Sequence, residues 1–267
     1  MKNMKKSLKI CLIIAAILIL AALIGHFWTP YSTTDMDVSL KNAPPSWQHL
    51  MGCDNFGRDI FSRVLNGMGT TVLVALLTVG IGLIVGTVLG SLVGYYGGIV
   101  DTVLMRICDV ILAFPTVLMV LVFIAITGTG KYNIIYALGF LFIPSFVRMS
   151  RGEILKLKEM EYIKSAKVMG VSNIKIIFFH IIPNMRSALL TSLVVGFNNA
   201  VLAEASMSYL GLGVQPPDAS LGRMISEAQN YLFRAPWYPI FPGIVIIIII
   251  LTFSMLGEEL RDMENAG

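Results

Sequence analysis

Charged side chains are scarce in this sequence. Asp, Glu, Lys and Arg make up 13% of its 267 residues, and 56% of the residues are hydrophobic. A soluble domain averages about 25% charged residues and no more than about 50% apolar ones. A soluble core of this size could not bury so much apolar surface, whereas a lipid bilayer accommodates it. The composition predicts an integral membrane protein with no nucleic-acid partner.

Cysteine and histidine are also rare, and neither forms a ligand pattern. The spacing of the three cysteines and three histidines fits no zinc, redox or haem motif. These residues are Cys11, Cys53, Cys108, His26, His49 and His180. The segment 128–131 is similar to a phosphate loop but lacks its leading glycine and its Ser or Thr. We therefore expect no catalytic residue, metal site or cofactor in this chain.

Six apolar runs are long enough to cross a bilayer, which takes about 20 helical residues. We predict spans at residues 8–28, 70–94, 99–127, 132–149, 185–210 and 240–256. The third span contains Pro115, which a membrane helix tolerates as a kink. The first run ends in aromatic rather than small residues, which favours an uncleaved helix over a signal peptide. The predicted fold is all-α and polytopic.

The basic residues set the expected orientation. With both termini in the cytoplasm, 13 of the 20 Lys and Arg residues lie on the cytoplasmic side, as the positive-inside rule requires. Residues 1–69 then form an N-terminal span plus an external segment. Residues 70–267 form the main transmembrane domain, with a cytoplasmic loop at about 150–184.

Small residues line one face of the second span at intervals of four: Gly82, Gly86, Gly90 and Gly94. Such a stripe lets a neighbouring helix approach closely. The pattern fits either static packing of the bundle or an interface that moves. In the third span, Arg106 and Asp109 are three residues apart, and we expect them to pair with each other.

Polar residues within the fifth span are candidates for lining a pathway: Asn198, Asn199 and Glu204. Polar groups within a membrane usually face the bundle interior or a watery cavity. For each residue type an alternative to lining a pathway stays open. Glu204 is near enough to the external end to reach water, and the asparagines could form hydrogen bonds to neighbouring helices.

The long cytoplasmic loop contains a short amphipathic helix, predicted over residues 159–169. Tyr162, Ile163, Ala166 and Met169 fall on one apolar face, and Gly170 follows as a C-terminal stop. Ser172 is positioned to cap a second helix, which ends before Pro183. An apolar face held outside the membrane indicates a partner groove.

This loop resembles the cytoplasmic motif of permeases in bacterial binding-protein-dependent ABC importers. That motif reads Glu-Ala-Ala, three residues, Gly, nine residues, then Ile-x-Leu-Pro. Here the matching positions are Lys164-Ser165-Ala166, Gly170 and His180-Ile181-Ile182-Pro183. The spacing agrees throughout, while Lys164 and His180 depart from the motif.

Four further segments are similar to the dipeptide, oligopeptide and nickel branch of that family, on the side of its C-type permeases. The segments are residues 51–59 with Gly57-Arg58-Asp59, residues 101–115 ending in Ala113-Phe114-Pro115, residues 208–217, and residues 257–262. Together with the loop, they cover nearly the whole chain from residue 50 to residue 262.

The resemblance implies a permease subunit that forms half of a translocation pathway in a bacterial inner membrane. Its expected partners are a paralogous permease, two cytoplasmic ATPase subunits and an external solute-binding protein. Helix 159–170 is then the coupling helix, and its ATPase-coupling residues are Tyr162, Lys164, Ser165, Ala166, Gly170 and Pro183.

Two other functions remain to be distinguished from peptide import. Nickel or metal-chelate import would use the same type of subunit. A more distant alternative is a carrier driven by an ion gradient, which would usually show inverted repeats and charges near the bilayer midplane. Neither feature is evident in the sequence.

Overall fold

The computed structural model describes residues 6–265, so Lys2 and Lys5 of the basic N-terminal cluster lie outside the described residues. Within that range, β structure is limited to one isolated bridge between Cys53 and Asp59. The helices are α1 (Lys6–Phe27), α2 (Ile60–Tyr96), α3 (Gly98–Ala113), α4 (Thr116–Thr127), α5 (Lys131–Leu157), α6 (Glu161–Val168), α7 (Asn173–Lys175), α8 (Arg186–Tyr209), α9 (Leu221–Ala228) and α10 (Trp237–Asn265).

The described residues contain up to six candidate membrane spans. Five helical stretches are individually long and apolar enough to span, and α3 with α4 forms a sixth candidate that is bent by 95°. Helices α2 and α5 run parallel, because Gly82 lies against Phe142 while Gly94, further along α2, lies against Ile154. Two parallel neighbours require a return crossing between them, and α3–α4 is the segment that supplies it.

The third span is broken rather than kinked. Phe114 adopts an extended backbone with φ −84° and ψ 141°, and Pro115 then precedes the first turn of α4. A residue before proline is pushed out of the helical region by steric clash, and proline has no N–H to continue the hydrogen-bond ladder. The expected tolerance of Pro115 as a simple kink was therefore wrong.

Two spanning helices extend well beyond the predicted spans. Helix α2 begins at Ile60 instead of residue 70, because the carboxylate of Asp59 accepts a hydrogen bond of 2.7 Å from the Ser62 amide and caps the helix. The predicted division at residues 69 and 70 therefore falls inside α2. Helix α5 continues past residue 149 to Leu157. The Ser150 hydroxyl donates a hydrogen bond to the Phe146 carbonyl within α5.

The four glycines Gly82, Gly86, Gly90 and Gly94 all face α5 and form what we call the α2–α5 seam. A Cβ atom on Gly82 would lie 2.9 Å from Phe142 Cβ, and one on Gly86 would lie 2.5 Å from Phe146 Cβ. Both separations are too short for carbon atoms in contact. The absence of side chains therefore permits the close approach of these two helices.

The end of the bundle near α9, called the α9 end below, contains a buried charge cluster. Asp54 is fully buried and pairs with Arg63, while Arg58 Nε donates to Asp54 at 2.7 Å. Arg63 also donates to Glu227 at 3.0 Å, and the Tyr238 hydroxyl donates to the same carboxylate oxygen at 2.9 Å. We call Asp54, Arg58, Arg63, Glu227 and Tyr238 the α9-end cluster.

The cluster keeps Glu227 ionised. Burial of Glu227 disfavours its negative charge. The charge of Arg63 and the hydrogen bond from Arg63 outweigh that cost, together with the hydrogen bond from Tyr238 and the charge of Arg58. The net result is that the pKa of Glu227 lies below its ordinary value. The cluster joins the segment before α2 to α2, α9 and α10, so it fixes one end of the bundle.

Candidate translocation cavity and coupling surface

The opposite end of the bundle, called the α6 end below, presents the short helix α6. This helix covers Glu161–Val168 within the predicted range of 159–169. Gly170 N donates to Lys167 O at 3.0 Å, and Val171 N donates to Ala166 O at 3.1 Å. This pair of bonds is a Schellman motif, and Gly170 adopts the left-handed φ of +79° that it requires. Glycine therefore ends α6 as the sequence predicts.

Half of the apolar face of α6 packs on the chain itself. Ile163 and Ala166 are buried at 0% and 3% exposure, in a cluster with Ile154 of α5 and with Ile176 and Ile181. We had expected this face to lie in a partner groove. The sequence shows that the face is apolar, but it cannot show that the following segment, 176–185, folds back to cover it.

The other side of α6 is left open. Tyr162 is 43% exposed, Val168 is 89% exposed and Met169 is 75% exposed. Ser165 and Lys164 are also exposed, and Lys164 pairs with Glu161 at 3.1 Å. A surface with two exposed aliphatic side chains beside a small serine is suited to contact with another protein.

The segment after α6 differs from the simple second helix that we predicted. Ser172 stands at the start of α7, but its side chain makes no capping hydrogen bond. The helix then widens into a π-helical turn, Ile176–Ile181, and narrows to a 3₁₀ turn, Ile182–Met185, which contains the exposed Pro183. Because Pro183 has no N–H, the ladder is interrupted here, and Asn184 Nδ2 donates to the His180 carbonyl at 2.6 Å.

Ion pairs between side chains connect α3 to α5. Arg151 of α5 binds Asp101 of α3 through two hydrogen bonds, of 2.5 and 2.7 Å. Asp109 pairs with Arg148 of α5 rather than with Arg106, so the pairing predicted within α3 is wrong. The interhelical pairs connect α3 to α5, a contact that spacing along one helix could not reveal.

A cavity of about 580 Å³ opens between α3, α4, α5 and α8. Its lining contains six polar side chains and no charged one: Thr116, Ser145, Thr191, Ser192, Asn199 and Ser206. The rest of the lining is apolar, including Phe142, Phe146 and Leu202. A large apolar concavity with a few polar groups is the usual form of a site for a small molecule.

The three pathway candidates from the sequence lie in different places. Asn199 lines the cavity. Asn198 does not, and its half-buried side chain keeps a buried Oδ1 without a hydrogen-bond partner in the described part of the chain. Glu204 is also absent from the lining. It is fully buried, and the Ser208 hydroxyl donates to it at 2.7 Å while accepting from the Val214 amide.

Sequence reasoning missed most of the polar lining. The spacing of seven residues between Ser192, Asn199 and Ser206 was a usable signal, because it places all three on one face of a helix. Ser145 and Thr116 carried no such signal, since they reach the cavity from other helices. Among residues 6–265, no group of three or more His, Cys, Asp or Glu side chains could hold a metal ion.

Six spans around an open cavity, with a short helix exposed at one end, define a transport subunit that crosses a membrane. Residues 86–262 match the family described as "Binding-protein-dependent transport system inner membrane component", and the chain belongs to this family. It is thus a permease subunit of a binding-protein-dependent ABC importer and an inner-membrane protein. The family resemblance predicted from the sequence is confirmed, and a carrier driven by an ion gradient is ruled out.

Curated relatives cover most of the chain. The glutathione transport system permease protein GsiD of Pectobacterium atrosepticum is 39% identical over 92% of this chain and 82% of its own length. The dipeptide transport system permease protein DppC is 38% identical in Alkalihalophilus pseudofirmus, over 94% of this chain and 83% of the relative. DppC of Haemophilus influenzae is 34% identical over 94% and 87%. These relatives are permease subunits and not enzymes.

Solved structures support the same fold at low sequence identity. The methionine ABC transporter MetNI, in inward-facing conformations, matches with a TM-score of 0.63 and 15% identity, over 75% of this chain and 95% of that chain. An amino acid ABC transporter with histidines matches with a TM-score of 0.56 and 19% identity, over 76% and 94%. The all-α polytopic fold predicted from the sequence is confirmed.

Proposed function

We propose that the chain forms half of the translocation pathway of a peptide importer. The observation that supports this most directly is the cavity, whose lining offers hydroxyl and amide groups without a charge. Such groups suit a peptide main chain, which is itself neutral and rich in hydrogen-bonding groups. The names of the relatives point the same way, since they transport glutathione and dipeptides. Nickel or a metal chelate remains the alternative cargo.

A paralogous permease would complete the pathway by covering the open side of the cavity. Polar side chains such as Asn199 and Ser145 cannot face lipid without loss of their hydrogen bonds to water. Their position on an open concavity supports a second subunit opposite them, with cargo or water between. An external solute-binding protein would deliver the cargo at the α9 end. The chain itself would need no cofactor.

We assign the α6 end to the cytoplasm, where two ATPase subunits would bind. The basic residues of the loop between α5 and α8 support this orientation, which places both termini in the cytoplasm. Tyr162, Lys164, Ser165 and Val168 form the exposed face that an ATPase cleft would hold. Ala166 acts from the other side of α6, because it attaches the helix to the spans. Gly170 and Pro183 shape the turns at either end of the loop.

Movement of α6 would reach the pathway through direct contacts. Ile163 packs in one cluster with Ile154 of α5 and with Met185, which immediately precedes α8. Helices α5 and α8 both line the cavity. Closure of the ATPases on ATP would therefore displace the walls of the cavity, and no longer chain of contacts is required.

Reconstitution of the complete transporter in liposomes tests the peptide function. The chain, its paralogous permease, both ATPases and the binding protein are expected to take up labelled dialanine only when ATP and the binding protein are present. Nickel uptake is measured in the same vesicles as the matched control. ATP-dependent uptake of nickel without uptake of any peptide would contradict the proposed cargo.

Thiol labelling tests the coupling surface directly. A cysteine at Val168, introduced as Val168→Cys, should react quickly with a polar maleimide in the permease pair alone and slowly once the ATPases are bound. The chain's own thiols give little background, because Cys11, Cys53 and Cys108 are buried. Burial, with a contribution from the nearby carboxylates Asp59 and Asp54, raises the pKa of Cys53 to about 11, so its reactive thiolate is scarce at neutral pH.

The control for labelling lies on the exposed external segment. Lys41→Cys should label at the same rate with and without the ATPases, since it lies at the opposite end of the bundle from α6. Equal labelling of Val168→Cys in the free and the ATPase-bound permease would show that α6 is not the docking surface.

A further inference from the structure

Three polar side chains of α8 recur every seven residues in the cavity lining, and Thr191 beside Ser192 adds a fourth. Ser192, Asn199 and Ser206 are all in the lining, and apolar residues such as Val195 and Leu202 lie between them. Seven residues are nearly two full helical turns, so the three side chains form a single row. We call this row the α8 polar row.

The row is long compared with the apolar layer of a membrane. At a rise of about 1.5 Å per residue, its neighbouring members are about 10 Å apart, and the whole row covers about 21 Å. The hydrocarbon core of a bilayer is about 30 Å thick. The length of the row is therefore about two thirds of that thickness, with Asn199 at the centre of the row.

The hydrogen-bonding capacity of the row is largely unused within the chain. Ser206 donates to the Leu202 carbonyl at 2.7 Å, as is common for a serine in a helix, and keeps its lone pairs free. Asn199 is exposed to the cavity, and its amide has no hydrogen-bond partner among residues 6–265. Ser145 on α5 and Thr116 on α4 face the same space.

The chemistry of Asn199 matches one part of a peptide. Its amide offers two N–H donors and one carbonyl acceptor, the same groups that a peptide unit offers in return. The row contains no carboxylate, guanidinium or ammonium group that would attract one cargo charge and repel the other. Main-chain groups are common to all peptides, whereas side-chain charges differ.

We infer that Asn199 binds the peptide main chain midway along the α8 polar row and that this row makes passage independent of the charge of the cargo side chains. This inference rests on the proposed peptide function and adds a specificity-determining residue to it. Selection among peptides then lies with the binding protein, while the permease half contributed by this chain accepts what is delivered.

The test changes the charge of the row without changing its shape. Uptake of dialanine, dilysine and diaspartate is measured in liposomes that contain the complete transporter with wild-type chain or with Asn199→Asp. The ratio of dilysine to diaspartate uptake should rise about tenfold in the variant, because a fixed negative charge in a site of low dielectric attracts cations and repels anions. Both samples use one binding protein, so the change in ratio reports on the permease.

A second variant separates hydrogen bonding from charge. Asn199→Leu should lower the uptake of all three dipeptides by about tenfold and by similar factors, since one hydrogen bond to the main chain is lost. The transporter should still assemble, and its partner subunits should still co-purify with the chain. If Asn199→Asp fails to assemble, Ser192→Asp places the charge at another point of the same row and should change the ratio in the same direction.

Asn198→Asp is the matched control, because this neighbouring side chain projects from a different face of α8 and lies outside the cavity lining, so its charge should change the uptake ratio less than Asn199→Asp does. Three results would overturn the inference: an unchanged ratio in Asn199→Asp, an equal change in Asn198→Asp, or loss of the partner permease in Asn199→Leu. The last would identify the row as a contact between subunits. If wild-type transporter takes up none of the dipeptides, the proposed peptide function fails before any variant is compared.

Discussion

In the α9-end cluster, charged groups from several parts of the chain neutralise one another inside the protein, whereas helix α6 leaves apolar side chains exposed. Arg63 is 2% exposed and binds two carboxylates. Val168 is 89% exposed and covers nothing in this chain. The contrast teaches that the α9-end cluster is completed within this subunit, while the exposed face of α6 has no cover in the described part of the chain and would be covered by the proposed partner.

Loss of Arg63 is expected to have the largest effect on this contrast. Arg63→Met leaves Asp54 and Glu227 buried with less compensation, and breaking a buried ion pair in this way costs about 3–5 kcal/mol. We expect a markedly lower unfolding temperature in detergent and a reduced yield of inserted protein. The control is Lys131→Met, which removes a partly exposed pair with Asp218 and should cost less than about 1 kcal/mol. Equal stability of the two variants would show that the α9-end cluster contributes no more to the free energy of unfolding than a partly exposed ion pair does.

A smaller loss is expected when the α2–α5 seam is disturbed. A Cβ on Gly90 would meet both the Ser150 hydroxyl and the Val147 carbonyl. Gly90→Ala should therefore lower the free energy of unfolding by about 1–3 kcal/mol. Gly80→Ala is the matched control in the same helix, because nothing lies within 4 Å of its Cβ position. That control should be neutral or slightly stabilising, since alanine favours the helix.

Acid should weaken the α9 end by a still smaller amount. The pKa of Glu227 is lowered in the folded protein, so its contribution to stability is complete above the ordinary pKa of a glutamate and is lost as the pH falls through the lower, folded value. The unfolding temperature measured from pH 7 downwards should fall in that acidic range. Glu227→Gln, which cannot titrate, should remove this part of the pH dependence although it is less stable at pH 7.

The smallest change in stability is expected at Gly170. Gly170→Ala would force a left-handed φ on a side chain, at a cost of about 1–2 kcal/mol, whereas Gly170→Asn should cost less because asparagine tolerates that conformation. No atom lies within 4 Å of the Cβ position, so the cost is conformational rather than steric. ATP-dependent uptake should fall further in Gly170→Ala than in Gly170→Asn. A larger fall in uptake for Gly170→Asn than for Gly170→Ala would show that the conformation of this turn does not contribute to coupling.

The sequence was sufficient for features that depend on neighbouring residues. The apolar runs predicted six spans, and the spacing of Ala166, Gly170 and Pro183 identified the loop at the α6 end. The end of α6 at Gly170 also followed from local rules. In each case the cause acts within a few residues, so a pattern in the sequence is enough to reveal it.

Features that depend on distant partners could not be predicted. The span predicted from residue 70 leaves out the first turns of α2, which contain Arg63. Its charge is balanced by Asp54 and by Glu227, which is 164 positions away in sequence. Asp109 was assigned to Arg106 for the same reason, since its true partner Arg148 is 39 positions away. Glu204 and Asn199 lie on the same helix, and only their neighbours on other helices decide which of them faces the cavity.

The parallel arrangement of α2 and α5 gives the proposed coupling a direct route across the membrane. Helix α2 has 37 residues and is about 55 Å long, which exceeds the thickness of the hydrocarbon layer. It extends from Arg63 at one surface to Tyr95 beside α6 at the other. The glycines of α2 let α5 approach so closely that a Cβ at Gly86 or Gly90 would clash with it. Under the proposed coupling role of α6, this closely packed pair would connect a displacement of α6 to the opposite membrane surface.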